Sequence, residues 1–471
     1  MRDWTAERVA EAAEARLVES RPDQQAAEAR LVESRPDQQA PTPDRPGPDR
    51  VVIDSREAGP GALFVGLPGA NVDGGEFAAA ALAAGAWGVM VAPEHAGAGR
   101  SSPPGVVLVA ERPLAALQHL ARAWRRELGS KVIGVTGSSG KTSTKDLLLA
   151  VLSPHRRTAA SRANRNTEIG LPLEILAAPA GTEVLVLEMG MRGAGQIAEL
   201  AAIAEPEVAV LVNVGTAHLE LLGTVEAIAA AKAELIAALP AGGTAVVPAH
   251  EPLLTPHLRE DVHTVTFGPG GDVRLARSDG EHVEIDLDGT SVSLEVPFTQ
   301  AHMRVNLLAA VAAARAVGVI PRGRIEAVIS AGRGESRQLP GGVTLIDHCY
   351  NANPVSMRAA LDDLAESTAP ERRRVAVLGD MLELGPRAHE FHLEVGRQAE
   401  RSGVGLLVTV GPLAAAMASE FHGEVHCLPD AADAAAQLPE LVREGDVVLV
   451  KGSLSVGLEA VCRALSGAVV A

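Results

Sequence analysis

The stretch Val132-Ile-Gly-Val-Thr-Gly-Ser-Ser-Gly-Lys-Thr-Ser-Thr144 joins an apolar strand to a helical segment through a glycine-rich turn. Backbone amides of such a turn, together with the partial positive charge of the helix N-terminus, bind phosphate oxygens. Lys141 adds a full charge, and the hydroxyl of Thr142 is suited to Mg²⁺. The strict motif has a glycine where Val135 stands, so this is a shortened Thr-Gly-x-x-Gly-Lys-Thr variant. It predicts a nucleoside triphosphate site, and the alternative is a glycine-rich turn without a ligand.

Residues 136–142, which we call the phosphate loop, supply most of the candidate ATP-binding residues. The candidates are Gly137, Ser138, Ser139, Gly140, Lys141 and Thr142. ATP and Mg²⁺ are therefore the predicted cofactors.

The length and composition of the chain indicate several α/β domains. A chain of 471 residues is long enough for roughly three domains. Hydrophobic residues make up 47% of the chain but aromatic residues only 2%. Its cores must therefore consist mainly of Ala, Val and Leu, which is typical of helices packed on parallel sheets.

Charge and cysteine content exclude several classes of protein. The net charge of −17 argues against a general nucleic-acid-binding protein, because phosphate backbones need clustered Lys and Arg. Cys349, Cys427 and Cys462 lack metal-ligand spacing and cannot all pair, so a reduced protein is predicted. No stretch approaches membrane-spanning length, and the start of the chain lacks a signal-peptide core. We expect a cytoplasmic protein with no membrane insertion and no nucleic-acid partner.

A duplicated segment precedes the first predicted domain. Residues 12–25 (AAEARLVESRPDQQ) recur without a change at residues 26–39, and a Pro/Asp-rich linker follows at residues 40–49. Repeat architectures need three or more copies that pack on one another, and working repeats diverge in sequence. Two identical copies indicate a recent duplication, and we expect one copy to be structurally dispensable.

The order of predicted elements divides the chain into four parts. Residues 1–50 hold the duplicated segment and the linker, and residues 51–129 form a small α/β module. Strands alternate with helical segments in residues 130–339, which predicts a central, doubly wound domain with a parallel sheet, like that of phosphate-loop ATPases. A third α/β domain, of Rossmann-like type, is predicted for residues 340–471.

Two polar residues end strands of the predicted central sheet. Glu188 terminates the apolar run that begins at Val184, and His218 follows the strand Val208–Val212. Ligands bind at the carboxyl edge of open α/β sheets, where a carboxylate can hold Mg²⁺ bridged to phosphate. A solvated Glu188 and a structural His218 are the alternatives. Their position beside the phosphate loop favours metal binding for both.

Lys232 lies in the apolar stripe of a predicted helix over residues 225–239, at the i+4 position from Ile228. An inward-facing lysine loses solvation, which lowers its pKa and frees the neutral amine. Such an amine can add CO₂ to form a carbamate, which is an oxygen ligand for a second metal ion. From the helix pattern alone, the better interpretation is a lysine whose stem lies in the stripe while its amine reaches water.

These segments together resemble the Mur ligase family of peptidoglycan synthesis, over about residues 54–459. The Tyr350–Pro354 motif is similar to that of the members that add a dipeptide, and the Asp-Asn-Pro-Arg motif of the members that add the third amino acid is absent from the sequence. The motifs that carry the resemblance are Thr136-Gly-Ser-Ser-Gly-Lys-Thr142, Asn164-Arg-Asn-Thr-Glu-Ile-Gly170, Glu188-Met-Gly190, the segment around His218, Lys232, His302–Asn306, Tyr350-Asn-Ala-Asn-Pro354, Gly379-Asp-Met-Leu-Glu-Leu-Gly385 and Lys451-Gly-Ser453.

The resemblance implies roles for individual residues. The lysine that matches Lys232 is carbamylated in the family, which reverses the interpretation drawn from the helix pattern. The implied metal ligands are Thr142, Glu188, His218 and Lys232, and the implied catalytic residues are Lys141, His218 and Lys232. Beyond the phosphate loop, the implied ATP-binding residues are Asn306, Arg333, Asp347 and His348. The implied substrate-binding residues are Ser55 and Arg56 in a uridine-nucleotide-binding module, with Asn166, Thr167, Asn351 and Asn353.

The resemblance also implies an activity. It is an ATP-dependent ligation that joins D-alanyl-D-alanine to UDP-N-acetylmuramoyl-tripeptide through an acyl phosphate. We expect a monomer in which movement about linkers near Gly129 and Pro340 assembles the site. The alternatives are a relative that adds the third residue, a folylpolyglutamate synthase, and a nucleotide-binding protein without turnover.

The sequence departs from the family pattern at three places. Where the family has a second aspartate near the ATP ribose, this chain has His348, whose ring can still hydrogen-bond a hydroxyl. Leu454 replaces an arginine that follows Lys451-Gly-Ser453 in the family, which removes one charge. The duplication of residues 12–25 is the third departure. None of the three removes a phosphate-loop residue or an implied metal ligand.

Overall fold

The fold is known from a computed structural model, which describes residues 1–18, 47–100, 105–162, 164–330 and 332–468. The chain forms two compact units. The first unit comprises Met1–Val132, Arg156–Leu187 and Glu199–Glu205, and the second comprises Ile133–His155, Glu188–Ala198 and Pro206–Ala471. No helix within the described ranges is long and apolar enough to cross a membrane.

An N-terminal α/β module belongs to the first unit. Its elements are α1 (Ala6–Ala12), β1 (Arg16–Val18), β2 (Arg50–Val52), β3 (Ala62–Val65), α2 (Ala78–Ala83), β4 (Gly88–Val91), β5 (Val106–Val109) and α3 (Pro113–Leu128). Among the described residues the sheet has five strands in the order β1-β5-β4-β3-β2, and β1 runs antiparallel to β5 while the other pairs are parallel. Every residue of β3 and β4 is buried, as expected for strands covered on both faces.

Part of the segment predicted to lie ahead of this module is built into it. Strand β1 pairs with β5 through Leu17 and Leu108, and Val9 of α1 is completely buried. Trp4 packs edge to face on Trp124 of α3, with 5.7 Å between ring centroids. The second copy of the duplicated segment, residues 26–39, lies outside the described residues, and so does the linker over residues 40–46.

Deletion of residues 26–39 should change the free energy of unfolding by less than about 1 kcal/mol and leave activity unchanged. The copies are identical and adjacent, so the shortened chain keeps the residues of β1. Shortening the connection between β1 and β2 by about half alters loop closure by about 0.6 kcal/mol. Urea unfolding and turnover are the measurements. Val9→Asp, which buries a charge on α1, is the positive control, and a marked loss on deletion would mean that both copies are required.

The central domain alternates strands and helices as the sequence predicts. Its elements are β6 (Lys131–Thr136), α4 (Lys141–Leu152), β7 (Thr158–Ala160), α5 (Gly170–Ala177), β8 (Val184–Glu188), α6 (Gln196–Ala204), β9 (Val208–Leu211), α7 (Leu219–Leu222), α8 (Val225–Ala237), β10 (Thr244–Pro248), β11 (His263–Phe267), β12 (Val273–Asp279), β13 (His282–Leu287), β14 (Thr290–Glu295), α9 (Ala301–Ala316) and β15 (Gly323–Arg324). In the first unit β7 pairs parallel with β8. In the second unit the described strands follow the order β15-β14-β13-β12-β11-β10-β9-β6.

Period-2 alternation over residues 272–297 predicts a hairpin, and the structure has three strands there. The turn at Asp288-Gly289 joins β13 to β14, with φ of +52° and +86° at the two residues. Both central residues of such a two-residue turn need positive φ, which explains the Asp-Gly pair. Strand β12 pairs antiparallel with β13 on the other side. The predicted turn is therefore confirmed, and the sequence pattern missed one strand.

The C-terminal domain lies in the second unit. Its elements are β16 (Glu335–Gln338), β17 (Thr344–His348), α10 (Pro354–Ser367), β18 (Arg374–Gly379), α11 (Ala388–Arg401), β19 (Leu406–Val410), β20 (Glu424–Leu428), α12 (Ala431–Leu441), β21 (Val447–Lys451) and α13 (Glu459–Ala468). The described strands form a sheet of six in the order β16-β17-β21-β18-β19-β20, in which only β16 is antiparallel. Strand β16 precedes residue 340, so this sheet begins before the domain boundary that the sequence suggests.

Candidate active site

The phosphate loop connects β6 to α4 at the carboxyl edge of the central sheet. Gly140 is the residue before α4 and has a left-handed φ of +76°, where a side chain would bring its Cβ within 2.7 Å of Asn306 Oδ1. Glycine is required there for both reasons. Lys141 Nζ donates to the carbonyl of Gly137 at 2.8 Å and so folds back over the loop. The first amides of α4 lack intrahelical acceptors, as at every helix N-terminus, and are available to a phosphate.

Asn213, which was not among the predicted site residues, holds the phosphate loop in shape. Its Oδ1 accepts hydrogen bonds from the backbone amides of Ser138 and Ser139, each at 3.0 Å. Its Nδ2 donates to the carbonyl and the hydroxyl of Ser139 at 3.1 and 2.9 Å. Asn213 follows β9, and β9 pairs with β6. The only signal in the sequence was a polar residue at a strand end.

Asn213→Ala should raise the KM for ATP and lower stability by about 1 to 3 kcal/mol, because it leaves the Ser139 amide without its acceptor. The matched control is Asn213→Asp, which keeps an acceptor for the two amides but places a negative charge beside the phosphates. We expect Asn213→Asp to raise the KM for ATP while leaving the unfolding midpoint close to that of the unmodified protein. An alanine variant with unchanged KM and unchanged unfolding midpoint would contradict the role of this side chain.

Thr142 and Glu188 form a buried polar pair beside the loop. The Thr142 hydroxyl donates to Glu188 Oε2 at 2.6 Å, and the two residues are only 1% and 2% exposed. Glu188 reaches this place because the amide of Met189 donates to the carbonyl of Val135, at 2.8 Å, beside β6. A hydroxyl and a carboxylate are hard oxygen donors of the kind that Mg²⁺ prefers. The pair therefore fits the predicted metal role.

Lys232 faces inward, as its place in the apolar stripe of α8 predicts, and it is buried, whereas the helix pattern favoured an amine that reaches water. The residue is 1% exposed, and its Nζ has no hydrogen bond or ion pair with any residue in the described part of the chain. Burial holds the pKa of the amine well below its usual value, and the charge of Lys141 lowers it further. Burial thus favours the neutral amine, which is the form that reacts with CO₂. An unpartnered buried amine fits carbamylation better than the alternative of an amine that reaches water.

His218 precedes α7 and has a left-handed φ of +64°. Its Nδ1 lies 2.5 Å from Glu383 Oε2. Burial lowers the pKa of the imidazole, the Glu383 carboxylate opposes this, and the charges of Lys141 and Lys232 add to the lowering. His218, Lys141 and Lys232, which are distant in sequence, are therefore electrostatic neighbours.

Arg333 brings positive charge from the start of the C-terminal domain into the same site. Its guanidinium lies 4.0 Å from the ring centroid of Tyr350. Burial lowers the pKa of Lys141. The Glu188 carboxylate raises this pKa, and the charge of Arg333 lowers it further. Burial and the Arg333 charge also lower the pKa of Lys451 to about 7. Lys451 Nζ donates to the carbonyl of Asn351 at 2.8 Å.

Asp347 and His348 end strand β17. Asp347 is buried, and one carboxylate oxygen accepts from the amide of Cys349 at 3.0 Å. Burial, followed by the charges of Lys451, His302 and Arg333, holds the pKa of His348 well below its usual value. His348 is therefore a neutral ring near pH 7. It offers a hydrogen-bond donor or acceptor where an aspartate would offer a charge.

Asn353 joins the C-terminal domain to the phosphate loop. Its Nδ2 donates to the carbonyl of Ser138 at 3.4 Å, while its Oδ1 accepts from Ser356 at the start of α10. The side chain is buried, and both its amide nitrogen and its amide oxygen have hydrogen-bond partners within the chain. Asn351 is exposed, and its Oδ1 accepts from the amide of Ala352.

The remaining candidate substrate residues all lie in the first unit. Ser55 is half-buried and Arg56 is exposed, with its guanidinium 2.5 Å from Asp54. Thr167 Oγ1 accepts from the amide of Gly170 at 3.3 Å, and Asn166 is half-buried beside it. The catalytic and ATP-binding candidates, in contrast, all lie in the second unit.

Models of known protein families match three ranges of the chain. A profile of the Mur ligase family catalytic domain matches residues 49–125, the Mur ligase middle domain matches residues 135–314, and the Mur ligase glutamate ligase domain matches residues 332–454. The chain belongs to the Mur ligase family. The resemblance inferred from the motifs is therefore confirmed.

Individual Mur ligases are similar to this chain over most of its length. The UDP-N-acetylmuramoyl-tripeptide--D-alanyl-D-alanine ligase of Synechocystis sp. is 39% identical over 423 residues, which cover 88% of this chain and 91% of that protein. The crystal structure of MurF from Acinetobacter baumannii superposes with a TM-score of 0.83 at 28% identity and 98% coverage of both chains. The MurF ligase from Thermotoga maritima in complex with ADP gives a TM-score of 0.77 at 32% identity, covering 89% of this chain and 97% of that one.

Two further predictions are confirmed by these similarities. The three α/β domains predicted from the sequence are the N-terminal, middle and C-terminal domains of a Mur ligase. The protein is an ATP-dependent ligase.

Proposed function

We propose that this ligase joins D-alanyl-D-alanine to UDP-N-acetylmuramoyl-tripeptide in peptidoglycan precursor synthesis. The observation that carries the proposal is the similarity to ligases of that name over 88% of the chain. The buried pair of Thr142 and Glu188 beside Lys141 supports it, because the reaction consumes ATP and these residues fit the binding of Mg²⁺ and phosphate. An amide forms unfavourably from a carboxylate and an amine in water, and ATP supplies the activation.

In the first step, a carboxylate oxygen of the tripeptide attacks the γ-phosphorus of ATP. A new oxygen–phosphorus bond forms, the bond to the bridging oxygen breaks, and ADP leaves with that electron pair. Lys141 and the free amides at the start of α4 stabilise the charge on the transferring phosphoryl group. Asn213 keeps the loop in the shape that this requires.

In the second step, the neutral amine of D-alanyl-D-alanine attacks the carbonyl carbon of the acyl phosphate. The tetrahedral intermediate collapses to the amide, inorganic phosphate leaves, and a proton is lost from the nitrogen. Mg²⁺ held by Thr142 and Glu188, with a second ion held by His218 and a carbamate on Lys232, would supply positive charge to the phosphates. Lys232 gains that carbamate when its neutral amine adds CO₂ and releases a proton.

The other candidate residues are assigned to substrate binding. We assign the uridine nucleotide to Ser55 and Arg56, and we assign Asn166 and Thr167 to substrate binding as well. We assign the adenine nucleotide to Asn306 and Arg333, with Asp347 and neutral His348 at the ribose. Asn351 and Asn353 are assigned to the acceptor side, and the Asn353 bond to Ser138 supports a place beside the phosphate loop. A monomer acting in the cytoplasm completes the proposal.

The deciding experiment is an acceptor panel with the full chain, ATP and Mg²⁺. D-Alanyl-D-alanine with UDP-N-acetylmuramoyl-tripeptide is compared with free amino acids on the dipeptide precursor and with glutamate on a folate. Phosphate release and the mass of the product are measured, and Glu188→Gln controls for contaminating ATPase. We expect release and product only with D-alanyl-D-alanine. Product with another acceptor, or ATP binding without acceptor-dependent release, would overturn the proposal.

A further inference from the structure

Glu383 lies where the C-terminal domain contacts the central domain. It belongs to the segment that follows β18. One carboxylate oxygen lies 2.5 Å from His218 Nδ1, and the other lies 3.4 Å from the guanidinium of Arg192. Arg192 is in the loop that follows Glu188, and His218 is in the loop that follows β9. A single carboxylate of the C-terminal domain thus contacts the central loop that follows Glu188 and the loop that holds His218.

The backbone around Glu383 is shaped for this contact. Glu383 has a left-handed φ of +60°, which is unfavourable for a residue with a side chain. Its carbonyl accepts from the amide of Glu220 at 3.3 Å. Gly385 also has positive φ, and a Cβ there would lie 3.1 Å from Glu220 Cα. A residue with unfavourable backbone angles persists only where the surrounding contacts hold it in place, and such residues concentrate at functional segments.

The contact has a chemical consequence for His218. A carboxylate next to Nδ1 accepts a hydrogen bond from the protonated form of that nitrogen, which leaves the lone pair on Nε2 and fixes the orientation of the ring. Nε2 is then the atom available to a metal ion. Without Glu383 the ring could rotate, and either nitrogen could carry the proton.

We propose that Glu383 is a positioning residue that orients His218 for metal binding, so that the second metal site is complete only when the C-terminal domain contacts the central domain. The inference rests on the proposed function, because it takes His218 as a metal ligand. Metal binding at His218 and contact between the domains then favour each other by equal factors. This couples assembly of the metal site to arrival of the C-terminal residues at the phosphate loop.

The test is a Mn²⁺ titration of the full chain, followed by electron paramagnetic resonance, in the presence of a non-hydrolysable ATP analogue. Glu383→Ala should weaken one class of bound Mn²⁺ by about 10- to 100-fold, the range found for residues that orient metal ligands. Glu383→Gln, which keeps an acceptor oxygen without the charge, should weaken it less. Glu220→Gln removes an exposed carboxylate from the same contact and should change nothing. In a His218→Asn background, Glu383→Ala should have no further effect, because the two residues act as one unit.

Each outcome decides a separate point. If His218→Asn weakens Mn²⁺ binding and Glu383→Ala does not, or if their effects simply add, the role of Glu383 is overturned while the metal role of His218 stands. If His218→Asn itself leaves Mn²⁺ binding unchanged, both roles fail. If the cycle behaves as expected but no acceptor gives turnover, the proposed function fails and the role of Glu383 stands. Thermal unfolding accompanies every variant, and Glu383→Gln carries the cycle if the alanine variant does not fold.

Discussion

Lys141→Ala should abolish turnover while the protein remains folded. The Lys141 amine is the full positive charge of the phosphate loop, and its pKa responds to Glu188 across the site. Loss of one such electrostatic contact typically costs about 10²-fold or more in rate. The side chain makes one hydrogen bond, to the carbonyl of Gly137, and it is not part of the hydrophobic core. Its removal should therefore leave the unfolding midpoint nearly unchanged.

Steady-state kinetics and thermal unfolding of Lys141→Ala are the measurements. Lys131→Ala is the matched control, since Lys131 is an exposed lysine at the start of β6, the strand that leads into the loop. We expect the control to keep its full activity. Activity of Lys141→Ala within about threefold of the unmodified protein, well short of the 10²-fold or larger loss, would rule out the phosphate-loop assignment.

Lys232→Ala should lose turnover to a similar degree, and a small carboxylic acid should partly restore it. If Lys232 acts as a carbamate oxygen bound to metal, acetate or propionate can occupy the space left by the truncated side chain. The structure supports this interpretation, because the amine is buried, its pKa is lowered by that burial, and it has no partner in the described part of the chain. The expected loss is about 10²-fold or more, as for removal of other electrostatic contacts in a transition state. Turnover as a function of added carboxylate is the measurement.

Lys232→Met is the matched control for rescue. Methionine fills much of the same space in α8 but cannot form a carbamate, so added carboxylate should not restore its activity. Removal of CO₂ should slow the unmodified protein and leave Lys232→Ala unaffected. NMR with isotopically labelled bicarbonate should detect the carbamate directly. Full activity of Lys232→Ala, or the absence of any carboxyl group on Lys232, would return the residue to a structural role.

The sequence predicted those parts of the site that depend on local geometry. The phosphate loop is a local structure, since Gly140 must adopt positive φ immediately before α4 and Lys141 must follow it. The inward direction of Lys232 follows from helix periodicity, which places it on the apolar face of α8, although the pattern favoured an amine that reaches water. The turn at Asp288-Gly289 follows from the φ values that a two-residue hairpin demands. Each of these is decided within a few residues of chain, so the pattern alone is sufficient.

The arrangement of distant segments was accessible only through the tertiary structure. Asn213 holds the phosphate loop because β9 lies next to β6, and the order of strands in a sheet is not written in any one segment. Cys349 and Cys462, whose spacing suggested no relation, have their Sγ atoms 3.4 Å apart because α13 packs against the sheet that contains β17. The hydrogen bond between Asn353 and Ser138 also depends on packing between domains. Such contacts depend on which apolar faces bury each other.

The sequence by itself determined the fold class, the family and the identity of the phosphate loop, because backbone conformation, strand and helix periodicity and specific motifs are local properties of the chain. The tertiary structure alone decided that Glu383 contacts His218, although 165 residues separate them. It also decided that Lys232 lacks a carboxylate partner among the described residues. These facts depend on how the sheets and helices pack in space, since a side chain acquires its partner and its pKa only from the groups that the folded chain places around it.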